Sequence, residues 1–341
     1  MSSNGAIDLE MMERAIQNAA SARLSSSPNP WVGSVLVVPS GDIFDGATLP
    51  AGGDHAEVTC LTEAIGNTRG STLYTTLEPC CHIGNTPPCT ESIISAEVDR
   101  VVIGVLDPDE RVNGKGVAAL RSSGIEVEVG IRGDEVKAQL LPYLHHRTTG
   151  RPYVVVKVAA TLDGRIAAQD GSSQWITGSA AREEAHKLRA YSDAVCVGAE
   201  TVRKDNPKLT VRDWKPTMEN GHELNPLRVV LGKAPQDASI HPCLEMGGDI
   251  ERVLDDLGKR GILQLLVEGG ANTISRFHSS GLVDRYEIFF APAFFGSDGA
   301  ISMLTGHGAS TIEDLWRGEI TKLSQLGEDI QLTLVPKFID K

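Results

Sequence analysis

A histidine, a glutamate and two cysteines in the first half of the chain have the types and spacing of a catalytic metal site. His55 and Glu57 belong to a His-Ala-Glu tripeptide, Cys80 follows a proline, and eight residues separate Cys80 from Cys89. One imidazole and two thiolates give zinc three protein ligands and leave the fourth tetrahedral position open, as in catalytic sites. Zinc activates water there, and a carboxylate that is not a ligand can carry the proton to departing ammonia. The residues therefore predict a zinc-dependent deaminase with Glu57 as proton shuttle.

Other interpretations of these residues stay open at this point. His-Ala-Glu is a common tripeptide, and Cys80 and Cys81 are also consistent with buried thiols or a redox pair. The short deaminase pattern has only two residues between its cysteines, so the interval here is unusual. Cys81 and His82 could compete as ligands, but adjacent residues rarely aim at one ion. Cys81 is therefore interpreted as a neighbour of the metal.

The second half of the chain carries a different set of polar residues. Residues 268–273 read Glu-Gly-Gly-Ala-Asn-Thr between an apolar run and a helical pattern, so backbone N–H groups there could receive a phosphate. Alone this signal is weak, because two glycines often form only a tight connection and the full GxGxxG fingerprint is absent. The surrounding polar residues strengthen it: Lys157, Asp163, Arg165, Ser173, Trp175, Arg189, Asp205 and Arg212. Individually, Trp175 fits core packing, Arg189 fits a solvated helix end, and Lys157 fits an outward-pointing side chain.

An α/β framework must position these residues, because strand-like runs alternate with helical patterns. The predicted strands are 34–38, 72–76, 101–105, 125–129, 153–159, 193–197, 227–231, 262–267, 285–290 and 330–335. The predicted helices are 55–65, 90–96, 117–122, 179–190 and 271–279, and 212–225 is expected to be a surface loop.

Local signals also predict the first helix and the domain boundary. Asp8 is expected to cap a helix whose apolar positions run from Leu9 to Ala20. Segment 144–152 is polar, contains Gly and Pro, and precedes a strong strand, which is typical of a linker. We therefore expect domains at 1–148 and 149–341, in keeping with a length of 341 residues.

Composition excludes several classes of function. The formal net charge is −13, which disfavours a protein that wraps nucleic acid or binds an anionic membrane. Residues 1–150 contain 19 acidic and 10 basic residues, and the remainder contains 26 and 22, so the second half suits anionic ligands better. The first thirty residues lack the pattern of a secretory signal, and no apolar run is long enough to span a membrane. We expect a cytoplasmic protein.

Motifs in both halves resemble the bifunctional riboflavin-biosynthesis deaminase/reductase family. In the first half these are HAEV, LYTTLEPCCHIGNTPPC and the segment Pro-Asn-Pro-Trp-Val-Gly at 28–33. In the second half they are KVAATLDGRIAAQDGSSQWIT, LRAYSDAVCVGAETVRKDNPKLTVR and LLVEGGANT, so the likeness covers roughly residues 8–335. The family has the same eight-residue interval between its cysteines. The resemblance implies a cytidine-deaminase-like three-layer α/β/α domain fused to a dihydrofolate-reductase-like α/β domain.

The resemblance also implies roles for individual residues. Zinc would bind His55, Cys80 and Cys89, with Glu57 as proton shuttle, and Asn29 would help to orient the pyrimidine. The NADPH site would consist of Ala159, Trp175, Thr201, Asp205, Gly270, Ala271, Asn272, Thr273, Ile274, Ser275 and Arg276. The pyrimidine ribose-phosphate substrate would contact Ser173, Arg189, Leu209, Arg212 and Glu268, with Lys157 supporting proton transfer or positioning. Asn85 stands where the family usually has a basic residue, which removes one expected anionic contact.

The expected function is therefore hydrolytic deamination of a phosphoribosylaminopyrimidine followed by NADPH-dependent reduction of its ribosyl group. Its partners would be small molecules, with no nucleic acid and no membrane, and a homo-oligomer through the reductase domain is possible in this family. Three alternatives remain: a deaminase of another base or of tRNA, a zinc-stabilised scaffold without catalysis, and a chain in which only one half is active.

Overall fold

A computed structural model describes residues 3–84, 87–216 and 224–337 of the chain. The chain divides into two compact units, Met1–Gly150 and Arg151–Lys341. Both units combine helices with a central sheet, which confirms the predicted α/β class. Among the described residues, no helix is both long and apolar enough to cross a membrane.

The first unit is a five-stranded sheet with helices on both faces. Its elements are α1 Ser3–Ala22, β1 Gly33–Val37, β2 Ile43–Ala47, α2 Ala56–Glu63, β3 Thr72–Leu77, α3 Cys89–Ser95, β4 Arg100–Val105, α4 Lys115–Ser122, β5 Glu126–Val129 and α5 Gly133–Thr149. The strand order is β2-β1-β3-β4-β5, in which β1 is antiparallel to both neighbours and β3, β4 and β5 are parallel.

The alternation of side chains along these strands creates two apolar layers. Leu36 and Leu73 pack with residues of α2, α3 and α4 on one face. Val35 and Tyr74 point the opposite way, toward the face that α1 covers together with α5. Since α2 and α3 follow β2 and β3 on the same face, their first residues lie close to each other.

The second unit contains an eight-stranded sheet. Its elements are β6 Tyr153–Thr161, β7 Arg165–Ala167, α6 Ser179–Ala190, β8 Ala194–Gly198, α7 Ala199–Asp205, β9 Leu227–Leu231, β10 Leu244–Met246, α8 Ile250–Lys259, β11 Gln264–Val267, α9 Ala271–Ser280, β12 Arg285–Ala291, β13 Ile301–Ser302, β14 Gly318–Leu326 and β15 Asp329–Pro336. The order is β10-β9-β8-β11-β6-β12-β15-β14; the first six strands are parallel, and β15 and β14 are antiparallel. Strands β7 and β13 form a separate antiparallel pair.

Strand β6 lies inside this sheet and is covered on both faces. Val154, Val156 and Val158 pack against α8 and α9, whereas Tyr153 and Val155 pack with residues of α6 and α7. A parallel strand that is buried on both faces has a continuous apolar sequence. The apolar run at 153–159 therefore predicts β6.

The predicted helix cap at Asp8 is wrong. Helix α1 begins at Ser3, and Asp8 lies inside it with its side chain buried. Arg100 donates two hydrogen bonds of 2.7 and 2.9 Å to the Asp8 carboxylate, and the Tyr74 hydroxyl donates a third of 2.9 Å. The carboxylate is thus a tertiary anchor between α1 and the sheet, which a local capping rule could not distinguish from a helix start.

The predicted linker at 144–152 is mostly helical. Helix α5 runs through Thr149 and ends at Gly150, whose positive φ of 74° suits a glycine C-cap. The structure therefore leaves only 150–152 between α5 and β6. Pro142 inside the helix and the polar run after it favoured the linker interpretation.

Several other elements were absent from the sequence expectations, namely α7, α8, β2, β7, β10, β13 and β14. Helix α8 had a clear signal, since Ile250, Val253, Leu254 and Leu257 follow helical spacing and are all buried. Strand β14 has no comparable apolar pattern in the sequence, because most of its side chains are exposed. In the predicted loop at 212–225, the described residues form neither helix nor strand.

Candidate active sites

The predicted metal ligands of the first unit lie together at the start of two helices. His55 immediately precedes α2 in an extended backbone conformation, and Cys89 is the first residue of α3. The His55 Nδ1 atom lies 3.2 Å from Cys89 Sγ and 3.6 Å from Cys80 Sγ, and the three potential ligand atoms all lie within 4.8 Å of one another. The donor set and its geometry fit a zinc ion held by one nitrogen and two sulfurs.

Hydrogen bonding favours negative charge at this cluster. The Cys89 backbone N–H donates to Cys80 Sγ at 3.3 Å. Hydrogen bonds from the Cys89 thiol and from His55 lower the pKa of Cys80, whereas the same thiol contact and burial raise the pKa of Cys89. These contacts favour a thiolate at Cys80, which is the form that binds a divalent cation.

Glu57 occupies the first turn of α2, two residues after His55, and is only 3% exposed. Burial raises the pKa of Glu57 to about 7, and the neighbouring His55 opposes that rise. A carboxyl group with this pKa exchanges a proton readily near neutral pH. The first turn brings Glu57 beside the ligands because the backbone at His55 has not yet become helical.

A second buried carboxylate, Glu78, holds the segment after β4 in place. Its oxygens accept backbone N–H groups from Asp107 at 3.3 Å, Gly114 at 2.9 Å and Val117 at 3.1 Å. Glu78 was not among the residues predicted from the sequence, although it lies in the cysteine motif. Its position after a buried strand and two residues before Cys80 was the available signal.

Three further residues of the first unit carry predictions from the sequence. Cys81 is not in the ligand cluster, and its Sγ atom donates to the Arg111 carbonyl at 3.6 Å, as expected for a neighbour. Asn29 lies in the turn after α1, where its backbone N–H donates to the Ser26 carbonyl at 2.9 Å. Its contact with a pyrimidine stays a prediction. Asn85 lies outside the described residues.

The second unit contains a cavity of about 740 Å³, a size typical of small-molecule sites. It opens at the carboxyl ends of parallel strands, where α/β sheets usually bind ligands. Most of the residues predicted for cofactor and substrate line it: Lys157, Ala159, Ser173, Trp175, Arg189, Thr201, Asp205, Arg212, Glu268, Gly270, Ala271, Asn272, Thr273, Ile274 and Arg276. A cavity that gathers side chains from so many segments was not evident from sequence spacing.

The turn from β11 into α9 forms one wall of this cavity. Gly270 precedes α9 without any side-chain cap, so the first backbone N–H groups of the helix face the cavity and suit a phosphate. Two glycines are sterically required beside Thr273. A Cβ at Gly269, in the turn, would lie 2.4 Å from the Thr273 Cβ, and a Cβ at Gly198, at the end of β8, would lie 2.5 Å from the Thr273 Oγ1. The Gly270 N–H donates to the Thr201 hydroxyl at 3.3 Å.

Two of the residues that line the cavity, Arg189 and Glu268, form an ion pair. Arg189 binds Glu268 through two parallel hydrogen bonds, the Nη2 to Oε2 bond being 2.9 Å, and both side chains are nearly buried. The third donor of Arg189 bonds the Thr210 carbonyl at 3.1 Å. Arg189 is therefore not a solvated side chain at a helix end, and its guanidinium already bonds Glu268 and the Thr210 carbonyl.

Lys157 and Trp175 also differ from their simplest interpretations. Lys157 does not point outward, and burial lowers its pKa while Glu268 opposes that effect. Trp175 is 70% exposed and so is not a core residue. The Arg182 guanidinium lies 4.7 Å from the centre of its ring. An exposed aromatic face on the cavity can stack on a planar ligand.

Two predicted residues do not line the cavity. The Leu209 side chain is buried in the cluster beneath α6 and α7, and its backbone has a positive φ of 52°. Ser275 accepts a 2.7 Å hydrogen bond from the Thr305 N–H. Roles for these two residues in ligand binding stay predictions.

Sequence reasoning missed several cavity residues, including Arg182, His186, Arg203, Lys204 and Asp213. Arg182, His186 and Arg189 are spaced by four and three residues on α6, so they share one face of that helix. This spacing was a usable signal. The many Arg and Lys side chains around the cavity agree with the less negative net charge of the second half.

Comparisons with known proteins match both units. Residues 6–105 match the family described as cytidine and deoxycytidylate deaminase zinc-binding region, and residues 152–332 match the RibD C-terminal domain. The riboflavin biosynthesis protein RibD of Chlamydia muridarum is 41% identical over 86% of this chain and 87% of its own length.

Solved structures agree over nearly the whole chain. A RibD structure from Acinetobacter baumannii has a TM-score of 0.91 and 36% identity, and it covers 97% of this chain and 99% of its own. A diaminohydroxyphosphoribosylaminopyrimidine deaminase/5-amino-6-(5-phosphoribosylamino)uracil reductase from Thermotoga maritima has a TM-score of 0.86 and 34% identity, with coverages of 98% and 100%.

Fold and sites together define a two-domain enzyme that joins a zinc-dependent deaminase to a nucleotide-dependent reductase. The cofactors of these two domains are Zn²⁺ and NADPH. The chain belongs to the family of RibD riboflavin biosynthesis proteins.

Proposed function

We propose that this chain catalyses two consecutive steps of riboflavin biosynthesis. The first is hydrolytic deamination of 2,5-diamino-6-(5-phosphoribosylamino)pyrimidin-4(3H)-one, and the second is NADPH-dependent reduction of 5-amino-6-(5-phosphoribosylamino)uracil to its ribitylamino product. We assign them to domains at 1–148 and 149–341. The observation that carries the proposal is that one chain has both a His/Cys/Cys cluster with a buried glutamate and a cation-lined cavity with an uncapped helix start.

In the deamination step, His55, Cys80 and Cys89 would hold the zinc ion. Bound zinc supplies the Lewis acidity that activates water for attack on the ring carbon. Glu57 would accept a proton from water on its carboxylate and deliver it to the departing amino nitrogen. Asn29 would orient the pyrimidine.

In the reduction step, the start of α9 and the side chains of Thr201 and Asp205 would hold NADPH, with Trp175 beside its ring. Bound NADPH would supply the hydride for C1 of the ribosyl group; the bond from C1 to the ring oxygen breaks, and a proton goes to that oxygen. Lys157, which lines the cavity, would support this proton transfer or position the substrate. The exposed guanidinium of Arg212 would take the sugar phosphate. Arg189 would act mainly through Glu268, because its Nε and Nη2 donors form a bidentate pair with that carboxylate.

A coupled assay tests the proposal. Purified, zinc-loaded protein supplied with the diaminopyrimidine and NADPH should release ammonia first and then oxidise NADPH. A folded protein with stoichiometric zinc that performs neither step would contradict the assignment. Ammonia release without NADPH oxidation on the deaminated intermediate would limit the function to the first step.

We also propose that the protein forms a homo-oligomer through its reductase unit. Within the described part of the chain, strand β14 pairs only with β15, and its side chains Ile320 and Leu323 are 60% and 67% exposed. Exposed apolar residues on an edge strand favour pairing with another copy. Light scattering of wild type and Leu323→Lys tests this: the variant should have the smaller mass, and equal masses would contradict β14 as the interface.

A cytoplasmic location completes the proposal. All six cysteines are unpaired thiols in the structure, which suits a reducing compartment. Fractionation of cells that express the native protein would test the location.

A further inference from the structure

His186 makes a contact that the reaction chemistry outlined above does not use. Its Nδ1 atom accepts a 3.0 Å hydrogen bond from the backbone N–H of Arg212, and only 6% of its side chain is exposed. The imidazole thus joins α6 to the segment that carries the proposed phosphate ligand.

The hydrogen bond determines the protonation state of the imidazole. A backbone N–H can only donate, so Nδ1 must be unprotonated and the ring proton must lie on Nε2. Nε2 faces the Asp213 carboxylate, with 3.4 Å between Nε2 and Oδ2. Burial lowers the pKa of His186, Arg189 and Arg212 act in the same direction, and Asp213 and Glu268 oppose them. A neutral ring is the form that this contact requires.

Two other side chains hold the backbone just before Arg212. Arg189 donates to the Thr210 carbonyl at 3.1 Å, and the Asn225 side-chain oxygen accepts the Val211 N–H at 2.9 Å. Among the described residues, the exposed Arg212 guanidinium makes one long side-chain bond, 3.4 Å to the Thr210 hydroxyl. The backbone of Arg212 is therefore positioned while its side chain stays available to a ligand.

We infer that His186 is a positioning residue of the reductase site: its neutral imidazole holds the Arg212 backbone where the guanidinium can reach the substrate's sugar phosphate. This inference rests on the proposed function, which gives that phosphate to Arg212. His186 would thereby govern binding of the phosphate end of the substrate and leave the hydride transfer step unchanged.

Two amide substitutions separate this role from simple packing. In His186→Asn, the carbonyl oxygen is bonded to Cγ as Nδ1 is in histidine, so it can still accept the Arg212 N–H. In His186→Gln, the amide lies one bond further out, near the position of Nε2, and the Nδ1 acceptor is lost. The two variants are both uncharged amides, and melting curves would show whether their stabilities match.

The probe is ribose 5-phosphate, with binding measured by titration calorimetry in the full-length protein. We expect His186→Gln to weaken binding about tenfold, the size of one lost hydrogen bond, and His186→Asn to stay within about threefold of wild type. The reductase KM should rise in the same order at nearly constant kcat. Hydrogen exchange of the Arg212 amide should be faster in the Gln variant than in the Asn variant.

Arg212→Ala tests the proposed phosphate site separately from the positioning role of His186. If Arg212→Ala leaves ribose 5-phosphate binding unchanged, the proposed phosphate site is wrong. If Arg212→Ala weakens binding but both His186 variants bind alike, or if kcat falls instead of KM rising, the positioning role of His186 is overturned while the phosphate site stands.

Discussion

At the scale of single residues, Glu57 combines burial with a position beside three metal ligands. We expect Glu57→Gln to reduce ammonia release by about 10²- to 10⁴-fold, because the amide keeps the shape of the side chain but cannot carry a proton. Zinc content should be unchanged, since Glu57 is not among the three clustered ligands. Ammonia production and metal analysis of the same preparation measure both quantities.

Glu63→Gln is a matched control, because Glu63 lies on the same helix but is exposed. It should retain wild-type deamination. Loss of zinc from Glu57→Gln would contradict the assignment of Glu57 as a proton carrier and would indicate a ligand role instead.

At the scale of elements, the turn from β11 into α9 depends on glycine for steric reasons. Gly269→Ala should lower the affinity for NADPH, because the new Cβ would push Thr273 and with it the first turn of α9. Overpacking of this kind costs about 1–3 kcal/mol, which corresponds to roughly a 5- to 150-fold weaker binding if it acts on the bound state. Fluorescence titration with NADPH provides the measurement.

Gly247→Ala is the control for this turn, because a Cβ there meets no atom within 4 Å. Its NADPH affinity should equal that of wild type. Unchanged binding by Gly269→Ala would show that Thr273 can move without displacing the helix start.

The anchor between α1 and β4 leads to a prediction about pH. Arg100 holds the pKa of Asp8 below its usual range, so the folded state binds this proton less tightly than the unfolded state does. The stabilisation is therefore present above the unfolded pKa of about 4 and is lost as the pH falls through the folded pKa. Asp8→Asn should lower the free energy of unfolding by roughly 1–3 kcal/mol at neutral pH.

Denaturant unfolding at several pH values checks this prediction, and the difference from wild type should shrink below about pH 4. Asp45→Asn is the comparison, because the Arg14–Asp45 pair is exposed and should contribute only about 0–1 kcal/mol. A deficit of Asp8→Asn that stays constant down to low pH would contradict an ionic origin.

Elements with strong local patterns could be predicted from the sequence, whereas contacts between distant segments could not. Strand β6 and the helix starts at Ala56 and Ala271 followed from apolar runs and from motifs. Asp8 was misassigned because its partner Arg100 lies 92 residues away, and no local rule connects the two. Helical spacing places His186 on one face of α6 with Arg182 and Arg189, but its contact with Arg212 joins the helix to an irregular segment and could not be predicted.

At the scale of the whole molecule, each unit has its own apolar clusters and its own set of chemically active residues. Glu57→Gln and Arg189→Ala should therefore each strongly reduce one step and spare the other. An equimolar mixture of the two variants should convert the diaminopyrimidine to the reduced product, because the intermediate from one chain can serve the reductase site of the other. Chromatographic detection of the ribitylamino product measures this.

Neither variant alone should yield that product, which provides the internal control. If a single substitution eliminated both steps, the two sites would not be independent. If both variants retained their single activities but their mixture gave no product, the intermediate would not pass between chains.

The alternation along β6 has a consequence for the genetics of this protein. Even-numbered positions from 154 to 160 face α8 and α9. Lys157 and Ala159 lie on the opposite face of the strand and line the cavity. An in-frame deletion of one codon just before Lys157 would move each following side chain to the opposite face of the strand and turn the Lys157 ammonium group toward the apolar core under α8 and α9. Missense alleles at single β6 positions should thus be graded in severity, whereas one-codon indels in this strand should behave as null alleles of the reductase.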